Sequence, residues 1–172
     1  NLVKRVIDHV GLPNDADSHA DYLSQFLNIY TSSPAKFTTV FDHVHEVLTG
    51  FQSSGMALGL CTNKPEAATE IVLAEFGLTA FFGSIVGGDR LPSRKPDPAM
   101  LHLVMQELGV ERCLFVGDSE VDVATAKAAG VPIALFTSGY RQTPVAELAP
   151  DFAFDHFQDL PPIATELFAS IP

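Results

Sequence analysis

The stretch that decides the fold is Cys113-Leu114-Phe115-Val116-Gly117-Asp118-Ser119-Glu120-Val121-Asp122. A short apolar run ends in Gly-Asp-Ser, and a second carboxylate follows the first by four residues. Such a run reads as a buried strand passing into a helix. In an open parallel sheet, ligands bind outside the carboxyl ends of the strands. Asp118 and Asp122 then stand at that crevice, where two carboxylates suit a hard cation such as Mg²⁺. Asp118 is expected to bind the cation directly, and Asp122 directly or through water. The bland alternative is a helix N-cap followed by an acid that the helix dipole favours.

On either side, short apolar runs alternate with amphipathic stretches. Strands are expected at 57–62, 84–87, 113–117, 132–136 and 152–154, and helices at about 42–54, 65–76, 97–108, 120–129 and 160–169. This alternation predicts an α/β fold of three layers, a parallel Rossmann-like sheet covered by helices on both faces. Residues 1–31 read as helical instead. Leu2, Val6 and Val10 share a face, Gly11-Leu12-Pro13-Asn14 stops the helix, and Tyr22, Phe26, Ile29 and Tyr30 recur at helical spacing. Thr31-Ser32-Ser33-Pro34 reads as a break. The division expected is a small helical region, 1–38, and an α/β core, 39–172.

The 172 residues suffice for one domain with a small appendage, and 47% hydrophobic with 18% charged residues fits a packed protein. No apolar stretch approaches the roughly 20 residues of a membrane span, and no signal peptide is evident. The net charge of −11 repels phosphate backbones and argues against nucleic acid as a partner. An anionic substrate must therefore be drawn in by a local cluster of cation, lysine and amide donors. Cys61 and Cys113 fall in strands expected to be buried. Two such thiols without Cys-rich spacing fit a reducing cytoplasm and no zinc site.

Three further pieces bear on chemistry. In Thr62-Asn63-Lys64-Pro65-Glu66, at a strand end, a hydroxyl and an amide suit phosphate oxygens beside a helix N-terminus. Taken alone, the stronger reading is that Asn63 caps that helix, with Glu66 completing a capping box; the two roles are compatible. In Arg94-Lys95-Pro96-Asp97-Pro98, Pro96 biases Lys95 towards an extended backbone, from which it can neutralise a phosphoryl group or a carboxylate nucleophile. The alternative is a solvated lysine, with Asp97 as cap and Pro98 at the first helical position. Ser138-Gly139-Tyr140 suits either the crevice rim or a plain turn. The six histidines form no ligand set; His43 and His45, two apart on a helix, point to different faces.

Taken in order, Thr62-Asn63, Lys95-Pro96 and Gly117-Asp118-Ser119 with Asp122 resemble the haloacid dehalogenase-like hydrolases, and within them the phosphoglycolate phosphatase group. Cys61-Thr-Asn-Lys-Pro65, Val86-Gly-Gly-Asp89, Ala126-Lys-Ala-Ala-Gly-Val-Pro132 and Ser138-Gly-Tyr140 carry the same likeness. It covers about residues 37–160, with 1–36 similar to the back half of the family's helical cap. The resemblance implies a Mg²⁺-dependent phosphatase for a small phosphate monoester, 2-phosphoglycolate first. Thr62 and Lys95 would then be catalytic, Thr62, Asn63 and Lys95 would bind substrate, and Asp118 and Asp122 would serve the metal. A phosphosugar mutase or pyrophosphatase stays open within the class, and a non-catalytic binding protein outside it.

In that family the nucleophile is the first Asp of an Asp-x-Asp-Gly-Thr motif, which ends the central strand of the sheet. None of the 172 residues forms that motif. Asp15-Ala16-Asp17-Ser18 has the acid spacing but no strand before it, and Asp42 sits where cap passes to core. The start at Asn1 rather than Met leads to the expectation that an upstream segment carries the nucleophile. The chain as given is then expected to be inactive. Without that strand, those ending at Thr62 and Asp118 should flank a gap with unpaired backbone groups.

Overall fold

The computed structural model describes the backbone of residues 2–13, 15–32 and 38–169, and side chains over 6–13, 15–25 and 38–169. The chain forms two compact units, Asn1–Thr39 and Val40–Pro172.

The first unit is a helical pair, α1 (Leu2–Val10) and α2 (Ala16–Ser32). The stop at Gly11 is as expected: its φ of 71° is left-handed, which favours glycine. Ile7 is buried, whereas Val6 and Val10 are about half exposed. A short helix with one neighbouring helix buries a single stripe, and Ile7 occupies it. The side chains of Leu2, Phe26, Ile29 and Tyr30, and residues Ser33 and Pro34 of the expected break, lie outside the described residues.

The second unit is built from α3 (Val44–Ser53), β1 (Gly59–Cys61), α4 (Glu66–Glu75), β2 (Ser84–Val86), α5 (Ala99–Leu108), β3 (Phe115–Gly117), α6 (Glu120–Ala129), β4 (Ile133–Phe136), α7 (Val145–Leu148), β5 (Phe152–Phe154) and α8 (Leu160–Ala169). Every expected strand is present; β5 spans the expected residues, and the other four are shorter than the runs that predicted them. All strand pairings are parallel, as βαβ crossovers require. Helix α5 starts two residues later than expected. Pro96 and Pro98 interrupt the backbone donors there, and the Asp97 carboxylate accepts from the Ala99 N–H (2.9 Å).

The fully buried strand β4 explains the layering. Ile133 and Leu135 point to one side, where Leu101 of α5 and Val123 and Ala126 of α6 meet Phe115. Ala134 and Phe136 point to the other, where Val47 and Phe51 of α3 pack with Phe154, Leu160 and Ala164. An apolar residue at each position of a strand is the mark of a sheet covered on both faces. A third cluster, Val86, Met100 and Val104, seats α5 on β1 and β2. The Rossmann-like core expected from the sequence is therefore the observed architecture.

The ladder falls into two sheets, β1–β2 and β3–β4–β5. Among the described residues β1 pairs only with β2, and β3 only with β4. Each keeps one unpaired edge, and Val116 in the middle of β3 is 38% exposed. Yet the ends of β1 and β3 are neighbours, because Cys61 packs against the cluster that contains Phe115. Among the described residues no helix is long and apolar enough to cross a membrane.

Leu135 is fully buried at the centre of β4. Leu135→Ala should lower unfolding free energy by about 2–5 kcal/mol in a urea titration. A loss below about 1 kcal/mol would mean that β4 is not the centre of the core.

Candidate active site

Strand β3 ends at Gly117, and the chain turns through Asp118 and Ser119 into α6. Ser119 is the N-cap: its Oγ accepts from the Asp122 N–H (3.3 Å). Asp122 closes the capping box, and its Oδ2 accepts from the Ser119 N–H (3.1 Å), the Ser119 hydroxyl (2.6 Å) and the Asp118 N–H (3.2 Å). The cap reading and the site reading of this motif thus fall on different residues, Ser119 and Asp118. A Cβ at position 117 would overlap the Asp122 carboxyl group, so glycine is required before the turn.

The remaining oxygen of Asp122, Oδ1, accepts from the Lys95 ammonium at 2.7 Å. Both side chains are largely withdrawn from solvent, at 13% and 7% exposure. The ammonium also lies 5.5 Å from the centre of the Phe115 ring. Burial pushes the Asp122 carboxyl up. The charge and hydrogen bond of Lys95, the Ser119 hydroxyl and the Asp118 amide outweigh it and hold the carboxyl below the usual range.

Asp118 is placed differently. Its Oδ2 accepts from the Tyr140 N–H (2.9 Å), and among the described residues no protein donor reaches its Oδ1. Gly139 makes this contact possible, since a Cβ there would overlap the Asp118 side chain. The Tyr140 ring itself is 90% exposed. Of the two acids assigned to a metal, Asp118 has an oxygen open to the crevice, whereas Asp122 is engaged on both oxygens.

From the other sheet come Thr62 and Asn63, just past β1. The Thr62 N–H continues the ladder to the Val86 carbonyl (3.0 Å), and its Oγ1 accepts from the Lys64 N–H (3.2 Å). The capping box expected between Asn63 and Glu66 does not form. Helix α4 begins after Pro65, and its Glu66 N–H is capped from a distance by Asp89 Oδ1 (2.8 Å). The Asn63 carboxamide turns instead to Lys95, donating to its carbonyl (3.0 Å) and accepting from its N–H (3.0 Å).

All five residues singled out from the sequence, Thr62, Asn63, Lys95, Asp118 and Asp122, line one open crevice of ≈ 250 Å³ at the carboxyl ends of β1 and β3. Lys64, Ser119 and Val121 line it as well and were not assigned a role from the sequence. For Lys64 the available signal was its place beside Thr62-Asn63; for Tyr140, whose backbone acts, residue type carried none. Among the described residues no three His, Cys, Asp or Glu side chains gather as a metal cage. Mg²⁺ needs none: it keeps several waters and takes one or two carboxylates together with substrate phosphate. The hard, oriented, open oxygen of Asp118 fits that demand. Burial behind the crevice pushes the Cys61 thiol up to about 11, which favours the thiol form over the thiolate at neutral pH.

The chain is similar to several known proteins. A family model described as haloacid dehalogenase-like hydrolase matches residues 4–136. The phosphoglycolate phosphatase of Cereibacter sphaeroides (strain ATCC 17025) is 44% identical over 168 residues, spanning 98% of this chain and 77% of that one. Phosphoglycolate phosphatase 1 of Pseudomonas aeruginosa is 42% identical over 172 residues, spanning 96% and 62%. The crystal structure of a predicted phosphoglycolate phosphatase from Haemophilus somnus 129PT superposes with a TM-score of 0.86 at 30% identity, covering 94% of this chain and 73% of that one.

The lowered titration of Asp122 has a pH signature. A depressed folded-state pKa contributes stability that is fully present above the ordinary carboxylate range, near about 4, and is lost as pH falls through the folded value. Acid unfolding should therefore steepen below about pH 4, and Asp122→Asn should flatten that limb while leaving the neutral-pH slope unchanged. Equal acid slopes in the two proteins would show that the Lys95 pair does not hold the carboxyl down.

Proposed function

Given that the chain belongs to the haloacid dehalogenase-like hydrolases, we propose that it is a Mg²⁺-dependent phosphatase for a small phosphate monoester, 2-phosphoglycolate first. Kinship with the phosphoglycolate phosphatases supports phosphoric monoester hydrolysis. The observation that carries the reading is the crevice itself, where the ends of separate sheets and the segment before α5 bring Thr62, Asp118 and Lys95 together.

The roles follow from charge. A carboxylate nucleophile and a phosphate dianion repel, so attack at phosphorus requires fixed positive charge and donors at the meeting point. Lys95 supplies the ammonium, held by Asp122. The Thr62 hydroxyl donates to a phosphate oxygen while accepting from the Lys64 amide. Asp118, oriented by the Tyr140 amide, would hold Mg²⁺. When bound, the cation adds charge neutralisation at the phosphoryl oxygens. Asp122, saturated by Lys95 and Ser119, would serve the cation by keeping the Asp118 turn and the lysine in place.

The nucleophile is assigned to a strand that enters between β1 and β3 and ends in Asp-x-Asp-Gly-Thr. The unpaired edges of those strands and the exposed Val116 support this. A parallel strand there would satisfy both edges and join the two sheets, delivering its terminal acid to the crevice. The first acid of that motif would attack phosphorus as the ester P–O bond breaks and the second acid protonates the departing alcohol; water would then hydrolyse the aspartyl-phosphate to release phosphate.

The test is phosphate release from 2-phosphoglycolate, with and without Mg²⁺, by the chain extended at its front through such a strand. Release should require Mg²⁺, and Asp118→Asn should lower it by roughly 100-fold or more. The 172 residues alone should release none. Release from other esters but not this one would keep the chemistry and discard the substrate. Silence on every ester would favour a binding protein of the same fold.

Gly139→Ala offers a finer check. Its new Cβ must push the Asp118 side chain aside. The Mg²⁺ concentration for half-maximal activity should rise about 10-fold or more, as for other losses of ligand orientation. An unchanged Mg²⁺ requirement would remove Asp118 from the metal site.

A further inference from the structure

We propose that the side chain of Asn63 is a positioning group that aims Lys95 into the crevice, and does not itself bind the phosphate. This rests on the reading of the crevice as a phosphate site, but on a separate observation. The two bonds between the Asn63 carboxamide and the Lys95 backbone form a reciprocal clamp across 32 residues. The clamp takes the carbonyl and the amino group of the side chain together, so the carboxamide plane is set by Lys95.

The clamp is itself built into the fold on its far side. Gly88, after β2, donates its N–H to the Lys64 carbonyl (2.8 Å), and a Cβ at Gly88 would overlap the Asn63 carbonyl group. The loop after β1 is thus wedged between the loop after β2 and the segment that carries Lys95. At the other end of the lysine, the ammonium is fixed by Asp122 Oδ1. A lysine has a flexible four-carbon stem, and one anchored tip leaves its backbone free to drift. Anchoring both the backbone and the tip gives the ammonium a single position. Asn63 supplies the first anchor and Asp122 the second.

The test uses the 172-residue chain and inorganic phosphate. In Asn63→Ala, exchange of the Lys95 amide proton should speed up by roughly 5–10-fold, and the Lys95 Cε resonance should move towards that of a solvated lysine. Asn63→Asp, which keeps the acceptor for the Lys95 N–H, should restore most of the amide protection. Asn63→Ala should weaken phosphate binding by calorimetry roughly 5–10-fold, but in a Lys95→Met background it should change binding by less than about twofold. Lys95→Gln is the second background should the Met variant fail to fold. An undiminished loss in either background would overturn the proposal, because Asn63 would then touch the phosphate directly. So would unchanged Lys95 signals in Asn63→Ala. Failure of the phosphate-site reading looks different: Thr62→Ala and Lys95→Met would both leave phosphate binding untouched, while the Lys95 signals still respond to Asn63→Ala.

Discussion

The buried ion pair between Lys95 and Asp122 is the constraint on which the site depends. Removing two charges from water is costly, and their attraction offsets that only when geometry is good and the other lone pairs are satisfied. Both conditions hold. The carboxylate takes the ammonium on one oxygen and three further donors on the other. Those donors are the Asp118–Ser119 turn itself, so a single side chain shapes the start of α6 and fixes the lysine. Lys95 arrives from the segment before α5, and Asp122 from α6. Their pairing therefore ties the half of the core built on β1 and β2 to the half built on β3 to β5.

That tie matters because, among the described residues, no strand pairing joins the two sheets. The ladder stops at β1 on one side and at β3 on the other. What holds the two sheets side by side is packing, with Cys61 shared between the cluster around Met100 and the one around Phe115, and the polar links across the crevice. The functional crevice and the break in the sheet occupy the same place. In an open α/β sheet the ligand sits where strand ends diverge. Here the loops after β1 and β3 diverge around unpaired edges, which concentrates oriented amides, two lysines and two carboxylates at one end.

Much of this was legible in the chain. The strand β4 could be read from four consecutive apolar residues, because burial on both faces leaves no polar position. The turn Gly117-Asp118-Ser119 could be read because glycine, an acid at the strand end and a capping serine each answer a local demand. Apolar spacing along α1 marks the helix, but which stripe is covered depends on the neighbouring helix. The capping box at Asn63 and Glu66 was misread. Its sequence spacing was correct, yet the Lys95 backbone and the Asp89 carboxylate offered each group a better-placed partner.

The sequence by itself determined the alternation of strands and helices, the ends of the strands, and the residue types gathered there. These depend on periodicity, glycine and capping within a few positions of the chain. Only the tertiary structure decided who holds whom. Asp122 meets Lys95 across 27 residues, Asn63 meets it across 32, Asp89 caps α4 across 23, and the Tyr140 amide orients Asp118 across 22. Such partners are chosen by how the strands dock, since a carboxylate or an amide accepts any well-placed donor and its own identity does not name one.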